Sequence, residues 1–90
     1  MDDLKGRVAV VTGGGSGIGR GIALALGTEG MIVAVADIQP ASAEAVAAEI
    51  ESRGGQGLGI GVDVTSVASL AAASKEILAR TDGVNLLCAN

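Results

Sequence analysis

Ninety residues with a formal charge of −4, a pI near 4.5 and no Phe, Trp or Tyr make at most one small domain. Hydrophobic residues are 49% of the chain and the mean hydropathy is +0.54, which argues against disorder and calls for a core filled by Ala, Val, Leu and Ile. Six scattered basic residues in an acidic chain argue against a nucleic-acid partner, whose phosphates are met by clustered Lys and Arg.

The chain opens on a polar lead, Met1 to Arg7, with Asp2 and Asp3 where a signal peptide would be basic. No apolar run approaches membrane-spanning length, so no membrane partner is expected. Val8-Ala9-Val10-Val11 is short, β-branched and bounded by glycines, the pattern of a strand buried on both faces. Thr12-Gly13-Gly14-Gly15-Ser16-Gly17-Ile18-Gly19 follows directly. It leads into a helix beginning at about Gly17, for which Ile18, Ile22, Ala25 and Leu26 supply an apolar stripe. Such a helix start turns unpaired N–H groups and the positive end of its dipole into the loop, where a diphosphate could accept both. Gly13 suits a sharp turn that a Cβ would resist, and Gly17 and Gly19 suit close approach of phosphate or strand. The spacing is TGxxxGxG rather than the strict GxGxxG fingerprint.

Gly30 ends the helix, and Met31 to Ala36 forms a second buried strand that terminates in Asp37. Pro40 opens a second helix with Ala43, Val46, Ala47 and Ile50 on its buried side, stopped by Gly54 and Gly55. A third strand through Leu58, Ile60 and Val62 ends in Asp63-Val64, its glycines leaving room for close packing. Thr65 or Ser66 can cap a third helix with the stripe Val67, Leu70, Ala71, Ser74, Ile77 and Leu78. A fourth strand runs from Val84 to Ala89 and meets Asn90. Cys88, alone in an apolar run, reads as a reduced core residue of a cytoplasmic protein.

This βαβαβαβ alternation specifies an α/β fold, a doubly wound parallel sheet of Rossmann-like type with strand order 3-2-1-4. Its winding reverses between strands 1 and 4, and the glycine loop, Asp37, Asp63 and Asn90 all fall at the carboxyl edge of the strands. Asp37 lies eighteen residues beyond Gly19, a spacing at which an acid accepts hydrogen bonds from both adenosine ribose hydroxyls. It would repel a 2′-phosphate, and neither Ser16 nor Ile38 offers a compensating cation, so NAD is favoured over NADP. The plainer alternatives are that Asp37 caps the second helix and that Asp63 begins an ordinary cap. Arg20 can touch a phosphate or stand in solvent.

These residues resemble the amino-terminal part of a short-chain dehydrogenase/reductase. The pieces that carry the resemblance are TGGGSGIG at Thr12 to Gly19, Asp37, Asp63-Val64, and Leu86-Leu87-Cys88-Ala89-Asn90, similar to a strand ending in NNAG. Ala89 replaces the first Asn of that motif, and Asn85 stands where an acid is common. The resemblance implies that Gly13, Ser16, Gly17, Ile18 and Gly19 belong to the pyrophosphate loop, that Asp37 holds the adenosine ribose, and that Asp63 and Val64 border the adenine. Asn90 would border the nicotinamide ribose. It further implies that residues 1–90 are one partial NAD(P)-binding domain cut at strand 4, and that the full-length protein is a homo-oligomer. The implied reaction interconverts a small-molecule alcohol and a carbonyl by hydride transfer. The catalytic Tyr and Lys of that family have no counterparts here, since the chain lacks Tyr and its only lysines are Lys5 and Lys75. The chain alone is therefore expected to be inactive, and a non-catalytic nucleotide-binding or regulatory module remains the alternative.

Overall fold

Short runs of small and branched apolar residues become the strands of a single parallel sheet in the computed structural model, which describes residues 5–15, 17–63, 65–81 and 83–88. The order along the chain is β1 (Val8–Thr12), α1 (Gly17–Thr28), β2 (Ile32–Asp37), α2 (Pro40–Ser52), β3 (Gln56–Gly61), α3 (Val67–Arg80) and β4 (Leu86–Cys88). The strands lie in the order β3-β2-β1-β4, as the alternation requires. Register pairs Val8 with Ile32 and Thr12 with Ala36 on one side of β1, and Ala9 with Leu86 and Val11 with Cys88 on the other. Asp37 pairs with Gly61, so β1, β2 and β3 finish almost level and deliver their loops to one edge.

Alternation along the strands divides the core in two. Ala9, Val11, Val33 and Val35 face α1 and α2, where they meet Ala23, Leu24, Ala43, Val46 and Ile50. Val10, Ala34, Ala36, Ile60 and Val62 form the second cluster with Ala73 and Ile77 of α3. Each fully buried Val or Ile in these layers contributes about 1.5–3 kcal/mol of transfer free energy.

The α2 stripe is Ala43, Val46, Ala47 and Ile50, as its spacing indicates. Two other helices turn differently from their sequence pattern. In α1 the buried residues are Gly19, Ala23, Leu24 and Gly27, while Ile18 is 75% exposed and Ile22 and Leu26 only flank the core. In α3 they are Ala73 and Ile77, leaving Val67, Leu70 and Leu78 exposed. A helix packed closely on a sheet puts its smallest residues at the line of contact, which displaces the largest aliphatic side chains to the flanks.

The same preference shapes β3. Gly57, Gly59 and Gly61 alternate onto the face under α2, and a Cβ at Gly59 would lie 2.7 Å from the backbone N and Cα of Glu44. The helix backbone rests directly on the strand. At the far side of the sheet, β4 is three residues long, with Leu86 and Leu87 exposed and Cys88 half-buried.

Asn85 sets the start of β4. Its side-chain Oδ1 accepts from the N–H of Val8 at 2.9 Å, and its own N–H donates to the Val8 carbonyl at 2.9 Å. The side chain thus completes a ladder rung that an extended residue would otherwise supply. Among the described residues no helix is long and apolar enough to cross a membrane.

Candidate functional site at the carboxyl edge

The site is built where β1 ends. Gly13 follows Thr12 with φ +64° and Gly17 opens α1 with φ +58°, backbone conformations that L side chains rarely adopt. Gly13 therefore turns the chain as its position implies. Gly17 owes its place to conformation rather than to a close neighbour, since a Cβ there would meet nothing within 4 Å. Gly19 is buried on the sheet side of α1, and Ile18 projects outward. Ser16, Val64 and Asn90, also singled out in the sequence, lie outside the described residues.

Asp37 stands at the end of β2 and faces the loop. Its Oδ2 accepts from the N–H of Gly15 at 3.0 Å, and its Oδ1 accepts from the N–H of Gln39 at 3.0 Å. It does not cap α2, whose N-cap is Gln39, without a side-chain capping bond and followed by Pro40. The acid is thus joined to the glycine loop across 22 residues of sequence. Gly14 reinforces the junction by donating to the carbonyl of Ala36 at 3.3 Å.

Asp63, after β3, is held differently. Its Oδ1 accepts from the hydroxyl of Thr65 at 2.6 Å and from the Thr65 N–H at 2.9 Å. These bonds, the hydroxyl's first, hold the carboxyl below its ordinary pKa against a smaller opposing effect of desolvation. The Asp63 N–H donates to Ser69 Oγ at 2.8 Å, and Ser66, rather than Thr65, caps α3 by accepting from the Ser69 N–H. Asp63 therefore fastens the turn leading into α3 through Oδ1, and it stands at the same edge as Asp37.

Arg20 stands exposed on α1, as the second of its two readings has it, and is paired there. Its guanidinium grips Glu49 of α2 through Nε and Nη2, and Arg53 shares the same carboxylate at 3.2 Å. Both arginines are about half exposed, so the pairs add at most about 1 kcal/mol each. Their effect is to tie α1 to α2 away from the loop. At the opposite, amino end of the strands a cleft of about 380 Å³ opens between Val8, Ile32, Thr81 and Asn85. It contains none of the residues gathered at the carboxyl edge.

Residues 7–90 match the family model described as short chain dehydrogenase. The chain belongs to that family. It superposes on the crystal structure of a hydroxysteroid dehydrogenase from Escherichia coli with a TM-score of 0.93 and 36% identity, over 99% of this chain and 39% of that one. A short-chain type dehydrogenase/reductase from Mycobacterium marinum is similar at a TM-score of 0.89 and 34% identity, over 96% of this chain and 34% of the other. The short-chain dehydrogenase segment thus spans well under half the length of either solved relative. No curated protein matches it significantly.

Proposed function

We propose that this chain forms the adenosine and pyrophosphate side of the cofactor site in an NAD-preferring short-chain dehydrogenase/reductase. The complete enzyme interconverts an alcohol and a carbonyl on a small-molecule substrate. The observation that carries the reading is the Asp37 carboxylate, held at the carboxyl edge of the sheet by the glycine loop itself.

The donor set fits a dinucleotide. N–H groups of the first turn of α1, from Gly17 through Ile18 to Gly19, are those that a helix start turns outward, and they supply the pyrophosphate contacts, with Gly13 and Ser16 as further residues of the loop. Asp37 accepts the ribose hydroxyls. Asp63 and Val64 line the adenine, and Asn90 borders the nicotinamide ribose. NAD, when bound, supplies the hydride acceptor or donor. This chain contributes no Tyr to move a proton on the substrate oxygen, so its residues bind and orient while acid–base chemistry belongs to the rest of the enzyme. The dehydrogenase names of both solved relatives support hydride chemistry of this class. Cys88, a free and half-buried thiol, supports a cytoplasmic setting.

Cofactor choice is the test. An ionised Asp37 opposes a 2′-phosphate, and Arg20 is engaged with Glu49 rather than turned toward the acid. Titration of NAD+ and NADP+ into the complete natural chain is expected to show NAD+ binding tighter by about tenfold or more. Asp37→Ala is expected to remove most of that difference. Equal or tighter NADP+ binding by the wild type would refute the reading.

A further inference from the structure

The glycine loop divides into two halves with different partners. The N–H groups of Gly14 and Gly15 are directed to β2, onto the carbonyl of Ala36 and the carboxylate of Asp37. Only the half that begins at Gly17 has first-turn helical N–H groups for an anion. Gly15 therefore lies outside the phosphate-binding half, yet it is tightly enclosed. A Cβ added there would fall 2.7 Å from Ser42 Cβ and 2.8 Å from Asp37 Oδ2. Ser42 belongs to the first turn of α2, where its N–H donates to the Gln39 carbonyl at 3.1 Å, so its Cβ cannot swing aside as a side-chain end can.

We propose that Gly15 is a positioning residue for cofactor discrimination: its N–H and its missing side chain together fix the Asp37 carboxylate in the orientation that accepts a ribose and rejects a 2′-phosphate. The inference rests on the NAD reading above and extends it to a residue whose N–H is directed to the acid. A carboxylate has about two lone-pair sites on each oxygen. Gly15 occupies one on Oδ2 and Gln39 one on Oδ1, which leaves one on each for a pair of vicinal hydroxyls. Two backbone donors also immobilise the side chain before ligand arrives, so little rotamer freedom is lost on binding. A Cβ at position 15 must push Oδ2 out of this place, which weakens its bond to the N–H and turns the carboxylate from this orientation.

Isothermal titration of NAD+ and NADP+ into the complete natural chain, as wild type, Gly15→Ala and Gly15→Ala/Ser42→Gly, tests this, with circular dichroism melts on the same samples. Gly15→Ala is expected to reduce the preference for NAD+ by about tenfold or more. The double variant removes the obstruction from α2 and keeps the one at Asp37, so it should recover melting temperature but not the preference. If Gly15→Ala alone fails to fold, the double variant carries the comparison. A wild-type preference for NAD+ that survives in the folded variants overturns this inference alone. Recovery of preference together with stability in the double variant also overturns it, because the effect is then one of general packing. A wild type that binds both dinucleotides equally overturns the cofactor reading and this inference with it.

Discussion

Gly59→Val is expected to cost about 4 kcal/mol or more, close to the whole stability of a domain this small. The site has no room for even the first added atom, since a Cβ at Gly59 would stand 2.7 Å from Glu44 N and Cα and 2.9 Å from the carbonyl carbon of Ala43. These neighbours are helix backbone, which cannot rotate out of the way. Accommodating Val requires α2 to lift from β3, and Ala43, Val46 and Ile50 would leave the core with it. Overpacking alone typically costs about 1–3 kcal/mol, and the lost burial of three apolar side chains adds to it. Urea unfolding followed by circular dichroism measures the effect. A midpoint that places the variant within about 1 kcal/mol of wild type would show that the α2–β3 contact is looser than described.

Gly19→Val acts on binding more than on folding. Gly19 is buried on the sheet side of α1, one turn before Ala23, and a branched side chain there would raise the first turn of the helix while the remaining turns stay docked through Ala23, Leu24 and Gly27. The N–H groups facing the loop would move with that turn. Charge-assisted hydrogen bonds contribute about 1.5–3 kcal/mol each, so losing one or two lowers dinucleotide affinity by about 100-fold or more. Most of the helical circular dichroism signal should persist. Calorimetry that finds wild-type NAD+ affinity in the folded variant would reduce the loop to an ordinary turn.

The strands and their order were legible because parallel strands covered on both faces are written as unbroken apolar runs, Val8 to Val11 and Met31 to Ala36, although the second strand begins one residue later, at Ile32, and takes in Asp37. The α2 face was legible for the same reason, its Val46 and Ile50 being both the largest apolar residues of the helix and almost fully buried. The faces of α1 and α3 were not. Hydropathy ranks Ile18 and Leu78 above Gly19 and Ala73, but steric proximity of the layers selects for smallness. Long-range polar pairing was also invisible to a linear reading. Nothing near Arg20 in sequence indicates Glu49, and nothing near Gly15 indicates that its N–H is directed to Asp37. Acid and loop could be assigned to one edge from topology, but their direct bond depends on how far the loop leans toward β2.

The unequal anchoring of the strands implies an order of assembly. β2 lies between two partners and pairs with each across a single intervening helix, whereas Val8 and Asn85, which begin the β1–β4 ladder, are 77 residues apart. Closing a loop roughly three times longer adds only about 1 kcal/mol of chain entropy. β4 has little to set against even that, with three paired residues and two exposed leucines. Chain collapse should therefore nucleate on β1, β2 and β3, with β4 docking last and detaching first. Native-state hydrogen exchange is expected to show amides of Leu86 to Cys88 opening at a fraction of the free energy needed for Val33 to Val35, and equal protection would contradict this sequence of events. The crevice lies where the winding reverses between β1 and β4, so the acid-and-glycine wall around Asp37 forms early and the wall facing it is added at the final step.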